Sequence, residues 1–492
     1  MKAAVKEVSE LTGSPGIDPR GIMSLRRGMP WPLISLVASL AVIFPVTACG
    51  NPFIRDLMEK HKPETDAEDQ AAGQPGGDSP LPLLSGTVSI TGTPIVGATL
   101  TANTSGLAGS GTISYQWNRG TAAVGSGAPT YTLTASDVGR PIIVTVSRAG
   151  YGGIKVSAPT AAVLGGLGAL IAGVPNGGTV TLQSGTYEMT AAATIGKDVT
   201  ITTEPGAAVT LERGASYTTG PLFDVPASGN LTLTAGAGGD LILDGGYDTA
   251  AGTGVISDSA ALTVAGDLVL GDGVTVKNNK NTTIGKGGGV FVESGGSLTM
   301  NPGSSIEYNE GGDGGGVAVQ GRFTMNGGTI QYNNAKPGNP NPDGGGVLVD
   351  AGGEFTMNHG EIAYNYAENT GGGVSVFREN TIILPISTFT MNGGSIHHNR
   401  CAGERGGGGG GVHVGRASFI MNNGAIHDNE AIKEGGGVCV WQATSTFNMD
   451  GGSITSNHTT TGAYGGVYEA AGGATSGTGT VITGNVPSDK NF

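Results

Sequence analysis

The 492-residue chain contains 92 glycines, against a usual share of roughly 7%, with only 13% charged and 5% aromatic residues. No Gly-X-Y period runs through it, which excludes a collagen-like triple helix, and the scarcity of charge argues against coiled coils and long surface helices. With 25 Lys and Arg against 39 Asp and Glu, the formal net charge is −14. An acidic body of this kind repels phosphate backbones, so nucleic acid is not an expected partner.

Residues 23–49 read MSLRRGMPWPLISLVASLAVIFPVTAC. Arg26 and Arg27 form a basic start, an apolar run extends from Pro32 to Val46, and small residues Thr47 and Ala48 precede Cys49, which is secretory-signal architecture. Val46-Thr47-Ala48-Cys49 resembles the lipobox of bacterial lipoproteins. The resemblance implies cleavage before Cys49 and a lipid thioether on its sulfur. Residues 1–48 are thus expected to be a signal peptide whose true start is Met23, with Cys49 as the lipidation site and membrane attachment. Gly50, where Asp is absent, implies by the same resemblance export to the outer membrane of a bacterial envelope, surface-exposed. Residues 49–83 are polar and Pro/Gly-rich, and read as a flexible tether with a reach of roughly 30 Å.

Residues 84–164 change character. Strand-like segments Thr87–Ile90, Ala98–Ala102, Ile113–Trp117, Tyr131–Leu133 and Ile142–Val146 are separated by Gly, Pro, Asn and Asp, the pattern of a small β-sandwich. The stretches TPIVGATLTA, ISYQWNRG and YTLTASDVGRPIIVTVSRAGYGG resemble bacterial immunoglobulin-like surface modules. The resemblance implies that Trp117 is the buried tryptophan and that Asp137 to Gly139 form the corner before the penultimate strand. The usual corner tyrosine and disulfide cysteines are absent, so this reads as an Ig-like module and not an antibody-type domain. Such modules are mostly spacers.

Residues 165–492 carry an internal repeat. Gly-Gly-Gly-Val ends at Val290, Val317, Val347, Val374, Val412 and Val438, and Gly-Gly-Val at Val467. Phe323/Met325, Phe355/Met357, Phe389/Met391, Phe419/Met421 and Phe447/Met449 recur between them, with Leu298/Met300 opening the series. Ile-x-x-Asn closes each unit, at Asn309, Asn333, Asn365, Asn399, Asn429, Asn457 and Asn485. One unit therefore reads as three short strands, too small to bury its own apolar face, so copies must stack. The expected fold is all-β: a right-handed parallel β-helix of about 10–11 rungs at ~4.8 Å per rung. Val, Phe, Met and Ile point inward by period 2. The asparagines are expected to be structural, occupying left-handed turns and bonding one to the next. Leu167, Leu170, Ile171 and Val174 are placed for a short capping helix.

This cap and the strand that follows it resemble the N-terminus of pectin-lyase-like β-helices. The Ile-x-x-Asn and Gly-Gly-Gly-Val pattern of residues 276–485 resembles the repeats of chlamydial polymorphic outer-membrane proteins, with Ile where those have Phe. The latter resemblance implies a surface-displayed, adhesin-like stalk. The chain ends at Phe492 directly after the last rung, so Cys49 rather than a C-terminal barrel is the expected attachment.

In pectin-lyase-like enzymes one outward strand column forms the active face. The matching column beside the Gly-Gly-Gly-Val strands runs from Phe291/Glu293 through Ala318/Gln320, Leu348/Asp350, Ser375/Phe377, His413/Gly415 and Cys439/Trp441 to Tyr468/Ala470. Glu293 and Asp350, two rungs and about 10 Å apart, stand near the separation used by inverting glycosidases. The Gly-His-Gly, Asn-Thr-Asp and Arg-Ile-Lys set of polygalacturonases is missing, however, and so is the aspartate cluster plus arginine of pectate lyases. No catalytic residue is assigned and the protein is not expected to be an enzyme. Glu293, Asp350, Phe377, Trp441 and Tyr468 form the candidate ligand-contacting surface, for a host surface or a glycan. His397 and His427 sit at equivalent places, but two histidines without a third ligand do not define a metal site, and no metal or cofactor is expected. Cys401 and Cys439 occupy different places in the repeat, so no disulfide is expected. The sequence reading is a surface lipoprotein displaying a binding rod, with a polysaccharide-binding or polysaccharide-degrading protein as the alternative.

Overall fold

Along each short segment of the repeat, apolar side chains alternate with polar ones, a pattern that forms strands with one face inward. The computed structural model describes residues 81–284, 286–336, 343–377, 385–403, 408–477 and 481–489. Every described residue belongs to one compact unit, Ser79–Phe492. Cys49, the signal segment 1–48 and the tether as far as residue 80 lie outside the described residues.

The strands build a parallel β-solenoid with three long sheets of ten, eleven and eleven strands. The first sheet runs from Ala193–Thr194 to Val467–Glu469, the second from Gly178–Leu182 to Ala474–Ser476, and the third from Gly185–Met189 to Val481–Thr483. Register is conserved from rung to rung: Phe323 pairs with Phe355, Phe355 with Phe389, Met357 with Met391, and Ile362 with Ile396. Like residues thus lie above like. The Phe323–Phe355–Phe389–Phe419–Phe447 rings stack nearly parallel at centroid spacings of 4.6, 4.8, 4.7 and 4.8 Å. Methionines 325, 357, 391, 421 and 449 line the same dry interior.

A fourth, six-stranded parallel ladder, from Glu310–Gly311 to His458–Thr459, joins the asparagine turns to the glycine runs. A three-strand unit does not anticipate it, because each of its strands is only two residues long and carries no alternation. The glycine runs have a steric cause. Gly344 adopts φ 68°, and a Cβ on Gly345 would lie 2.4 Å from the carbonyl oxygen of Gly372 in the next rung. Backbones approach too closely there for any side chain.

The asparagines are buried and bonded, but they are not the left-handed residues. Positive φ falls on the residue before each one: Tyr308 (55°), Tyr332 (55°), Tyr364 (58°), His398 (54°), Asp428 (54°), Ser456 (58°) and Gly484 (71°). That turn aims the asparagine inward. Asn365 shows the pattern. Its backbone N–H and its Nδ2 both donate to Oδ1 of Asn399 at 3.0 Å, and Nδ2 also donates to the Ile330 carbonyl at 2.9 Å. Its own Oδ1 accepts from the N–H and Nδ2 of Asn333 at 3.0 Å. The ladder runs from Asn279 to Asn485, where Oδ1 of Asp489 takes the last donors at 2.9 and 3.1 Å.

At the N-terminal end, helix Leu167–Gly173 buries Leu167 and Ile171 against the solenoid core. Residues 89–156 form two antiparallel sheets, one of three strands and one of four, around Trp117, Leu100, Leu133 and Val144. Ile95 and Ala98 from this region belong to the solenoid core, and the Glu188 N–H donates to the Gly97 carbonyl at 2.9 Å. Asp137 is fully buried and accepts from Arg119 Nη1 (2.8 Å), Tyr131 Oη (2.9 Å) and Thr134 N (2.7 Å). Burial pushes its carboxyl up, but these hydrogen bonds outweigh burial and hold it below its ordinary value. Tyr131 thus reaches Asp137 from the strand upstream of it. Among the described residues, no helix is long and apolar enough to cross a membrane.

The internal ladder is expected to bear on stability far more than an external one. Asn399→Ala leaves several buried polar groups unpaired, at ~1–3 kcal/mol each, so a loss of at least about 3 kcal/mol is expected in urea unfolding. Asn392 belongs to a parallel chain of side-chain bonds on the outside, Asn422–Asn392–Asn358 at 2.7 and 2.9 Å. Asn392→Ala is expected to cost about 0.5–1 kcal/mol. Equal costs would remove the distinction.

Candidate functional site

The column beside the Gly-Gly-Gly-Val strands is not the open face that alternation implies. Phe291, Ala318, Leu348, Ser375, His413 and Cys439 are all buried. Chain just upstream of the strands covers part of the column. Ala260 packs on Phe291 and Ala318, and Thr370 Oγ1 sits 3.0 Å from Ser375 Oγ. Alternation reports which way a side chain points from its own sheet, and cannot report a second layer outside it.

The five residues singled out on this column are half-buried. Glu293 and Asp350 follow Val292 and Val349, two rungs apart in register with Gln320 between them. Phe377 lies across Gly415 of the next rung, where a Cβ would come within 2.8 Å of its ring. Trp441 and Tyr468 meet at a centroid distance of 6.1 Å, and Tyr464 lies 6.0 Å from Tyr468. The structure thus brings Trp441 and Tyr468 together and leaves the carboxylates on other rungs.

Under the covering layer runs a polar chain. Thr370 Oγ1 donates to Asp343 at 2.6 Å, Asn369 Nδ2 to the same carboxylate at 2.8 Å, and Ser375 Oγ lies 3.5 Å from His413 Nδ1. Asp, Ser and His are hydrolase residue types, but Thr370 separates the acid from the serine and the acid does not orient the imidazole. Ser375 is fully buried and His413 is 3% exposed, so no substrate reaches them. Nearby, Cys401 and Cys439 are free and buried. Burial pushes the Cys401 thiol up to about 12 and raises that of Cys439 further, which makes both poor nucleophiles.

The exposed chemistry gathers instead on the turn edge. The left-handed turns hold Tyr308, Tyr332 and Tyr364 outward, 40, 38 and 43% exposed. Their rings stack at 5.0 and 5.1 Å, and His398 continues the stack 4.9 Å from Tyr364. Tyr308, Tyr332 and Tyr364 line one side of a groove of about 790 Å³, with Glu212, Asp244 and Glu307 along it. Lys277 also reaches this groove and pairs with Asp244 at 3.7 Å, so acidic groups dominate. The sequence reading passed over this ladder, although its signal is present: the third position of Ile-x-x-Asn is Tyr in three successive repeats. His397 and His427 pair in register and stack at 5.0 Å. No protein-family model, curated protein or solved structure matches this chain.

The buried chain has a pH signature. Burial pushes Asp343 up to about 7, the bonds from Thr370 and Asn369 work against it, and the Asp313 and Asp350 charges add to the rise. Its stabilising contribution is complete below the ordinary value of 3.8 and is lost as pH rises to about 7. Burial draws His413 down from 6.5 to about 4, so its contribution is complete above 6.5 and is lost as pH falls to about 4. Between those limits the two slopes oppose, each at most ~1.4 kcal/mol per pH unit. Relative to wild type, Asp343→Asn is expected to gain stability with rising pH across this window, and His413→Leu to lose it. Urea midpoints read at about three pH values check this; variants that both track the wild type would contradict the assignment.

Proposed function

We propose that the protein is a surface lipoprotein, held to the outer membrane by lipid on Cys49, that displays the solenoid as an adhesin-like binding rod. In this reading the two antiparallel sheets are an immunoglobulin-like spacer, and binding rather than turnover is the activity. The observation that carries the reading is the exposed Tyr308–Tyr332–Tyr364 stack beside its acidic groove. Holding bulky residues at positive φ costs of order 1–3 kcal/mol each, and aromatic side chains standing in water gain nothing from burial. Such an arrangement is characteristic of contact surfaces.

The groove also favours the alternative reading in one respect. Carboxylates accept hydrogen bonds from hydroxyls, and phenol edges add apolar contact, so a neutral polysaccharide is the glycan class that fits. An anionic one meets Glu212, Asp244 and Glu307. Under this reading the glycan is held on the turn edge, not at Glu293 and Asp350.

Two measurements test the proposal. Protease added to intact producing cells is expected to remove the protein, and Cys49→Ala to release it from membranes; protection of the wild type would contradict surface display. The triple variant Tyr308→Ser/Tyr332→Ser/Tyr364→Ser keeps the turn, since Ser456 occupies the same position at φ 58°. It is expected to lose at least about tenfold in cell or glycan binding, ~1.4 kcal/mol, while Glu293→Ala/Asp350→Ala binds like wild type. The opposite ranking would move the binding face to the strand column.

A further inference from the structure

Along the third sheet, the outward residues Glu188, Glu212, Asp244, Lys277 and Glu307 are register partners on successive rungs. Elsewhere on the solenoid, opposite charges meet across adjacent rungs, Arg322 with Glu354 at 3.4 Å and Arg400 with Glu430 at 3.2 Å. Here Glu188, Glu212 and Asp244 stand directly opposite one another, an arrangement of like charges that weakens a sheet. Lys277 answers Asp244 at 3.7 Å. Glu188 and Glu212 are exposed and meet no cation among the described residues. The fold gains nothing from this row, which points to a positively charged ligand outside it.

The groove beside the tyrosines continues past Glu212. Glu212 and Gly246 also line a second depression of about 340 Å³, with Glu188 and with Thr99 and Thr132 of the three-stranded sheet. The two form one track. From the rung of Glu188 to that of Tyr364 it extends roughly 30 Å, at ~4.8 Å per rung. The tyrosines add a flat surface at its far part. Tyr332 is stacked on both sides, whereas Tyr308 meets a ring on one side only. Its other face looks toward the rung of Asn278, whose amide is drawn back to Asp244 at 3.2 and 3.1 Å. That face is open to the groove.

We propose that this track binds an extended segment of a partner protein that carries arginine and lysine. The proposal rests on the binding-rod reading above and names the ligand of its groove. An extended chain of about nine residues covers the track at ~3.3 Å per residue, and every second side chain faces it. A guanidinium pairs with a carboxylate through two parallel bonds and stacks on an aromatic face. Glu188, Glu212 and the open face of Tyr308 therefore suit the same side chain. A neutral glycan uses the phenol but leaves the repulsion between Glu188 and Glu212 in place, and an anionic polymer adds to it.

Fluorescence anisotropy of a labelled peptide of about ten residues, alternating Arg and Ser, titrated with the full chain tests the track. Saturable binding of one peptide per chain is expected, weakening as ionic strength rises. Glu188→Gln/Glu212→Gln is expected to weaken it at least about tenfold. Glu354→Gln/Glu430→Gln removes the same charge from carboxylates already paired and is expected to bind like wild type. Tyr308→Ser is expected to weaken the Arg peptide more than a matching Lys peptide. Absence of saturable binding overturns the proposal, as does equal weakening in the two double variants, which would leave only the general attraction of an acidic protein. A neutral oligosaccharide bound where the peptide is not would overturn it too. If the peptide fails while the tyrosine triple variant still loses cell binding, the rod reading stands and this assignment alone falls.

Discussion

A buried side-chain amide is costly unless every donor and acceptor is used. The asparagine ladder meets that demand by spending each amide on two other rungs. Asn365 reaches forward to Asn399, backward to the Ile330 carbonyl, and accepts from Asn333. A slip of one residue would turn the phenylalanines out of the core, and a slip would also leave the amides unpaired. The ladder and the Phe and Met stacks therefore specify the same register by independent means, one directional and one by packing.

The turn that aims the asparagine inward has a second effect. It needs a left-handed residue immediately before, and that residue's side chain is carried outward on every rung. Structure and surface are thus written by adjacent letters of one motif. Asn is held constant by the ladder, while its neighbour varies from Tyr308, Tyr332 and Tyr364 through His398 and Asp428 to Ser456 at unchanged φ. The exposed edge is a column of free choices at ~4.8 Å spacing, aromatic at one end and imidazole and carboxylate further along. The strand column, in contrast, is buried, and its polar members Ser375 and His413 serve packing.

Much of this was legible because stacking makes position in the repeat equivalent to position in space. The inward Val, Phe, Met and Ile and the buried asparagines follow from period 2 and recurrence, and the capping helix at Leu167 from the helical spacing of Leu167, Leu170, Ile171 and Val174. Three features were not legible. The two-residue ladder at Glu310–Gly311 and its successors is too short to alternate. The cover over Phe291 and Ser375 is a second layer, invisible to the pattern of the first. The residue with positive φ is Tyr, not Asn, which reverses the usual propensity, because the ladder needs the asparagine amide elsewhere. The tyrosine stack was missed for that reason: the residue at issue was read as the spacer in Ile-x-x-Asn.

The central claim is that neighbouring repeats lie parallel and in register. Thr324 and Thr356 face outward on adjacent rungs as register partners, at a separation suited to a disulfide. In a Cys49→Ala background, where Cys401 and Cys439 are buried, Thr324→Cys/Thr356→Cys is the pair to oxidise, with Thr324→Cys/Thr390→Cys, two rungs apart, as its comparison. The account predicts rapid, near-complete intramolecular bonding of the first pair and none of the second. Equal bonding of both pairs, or failure of the first in the folded protein, would contradict it.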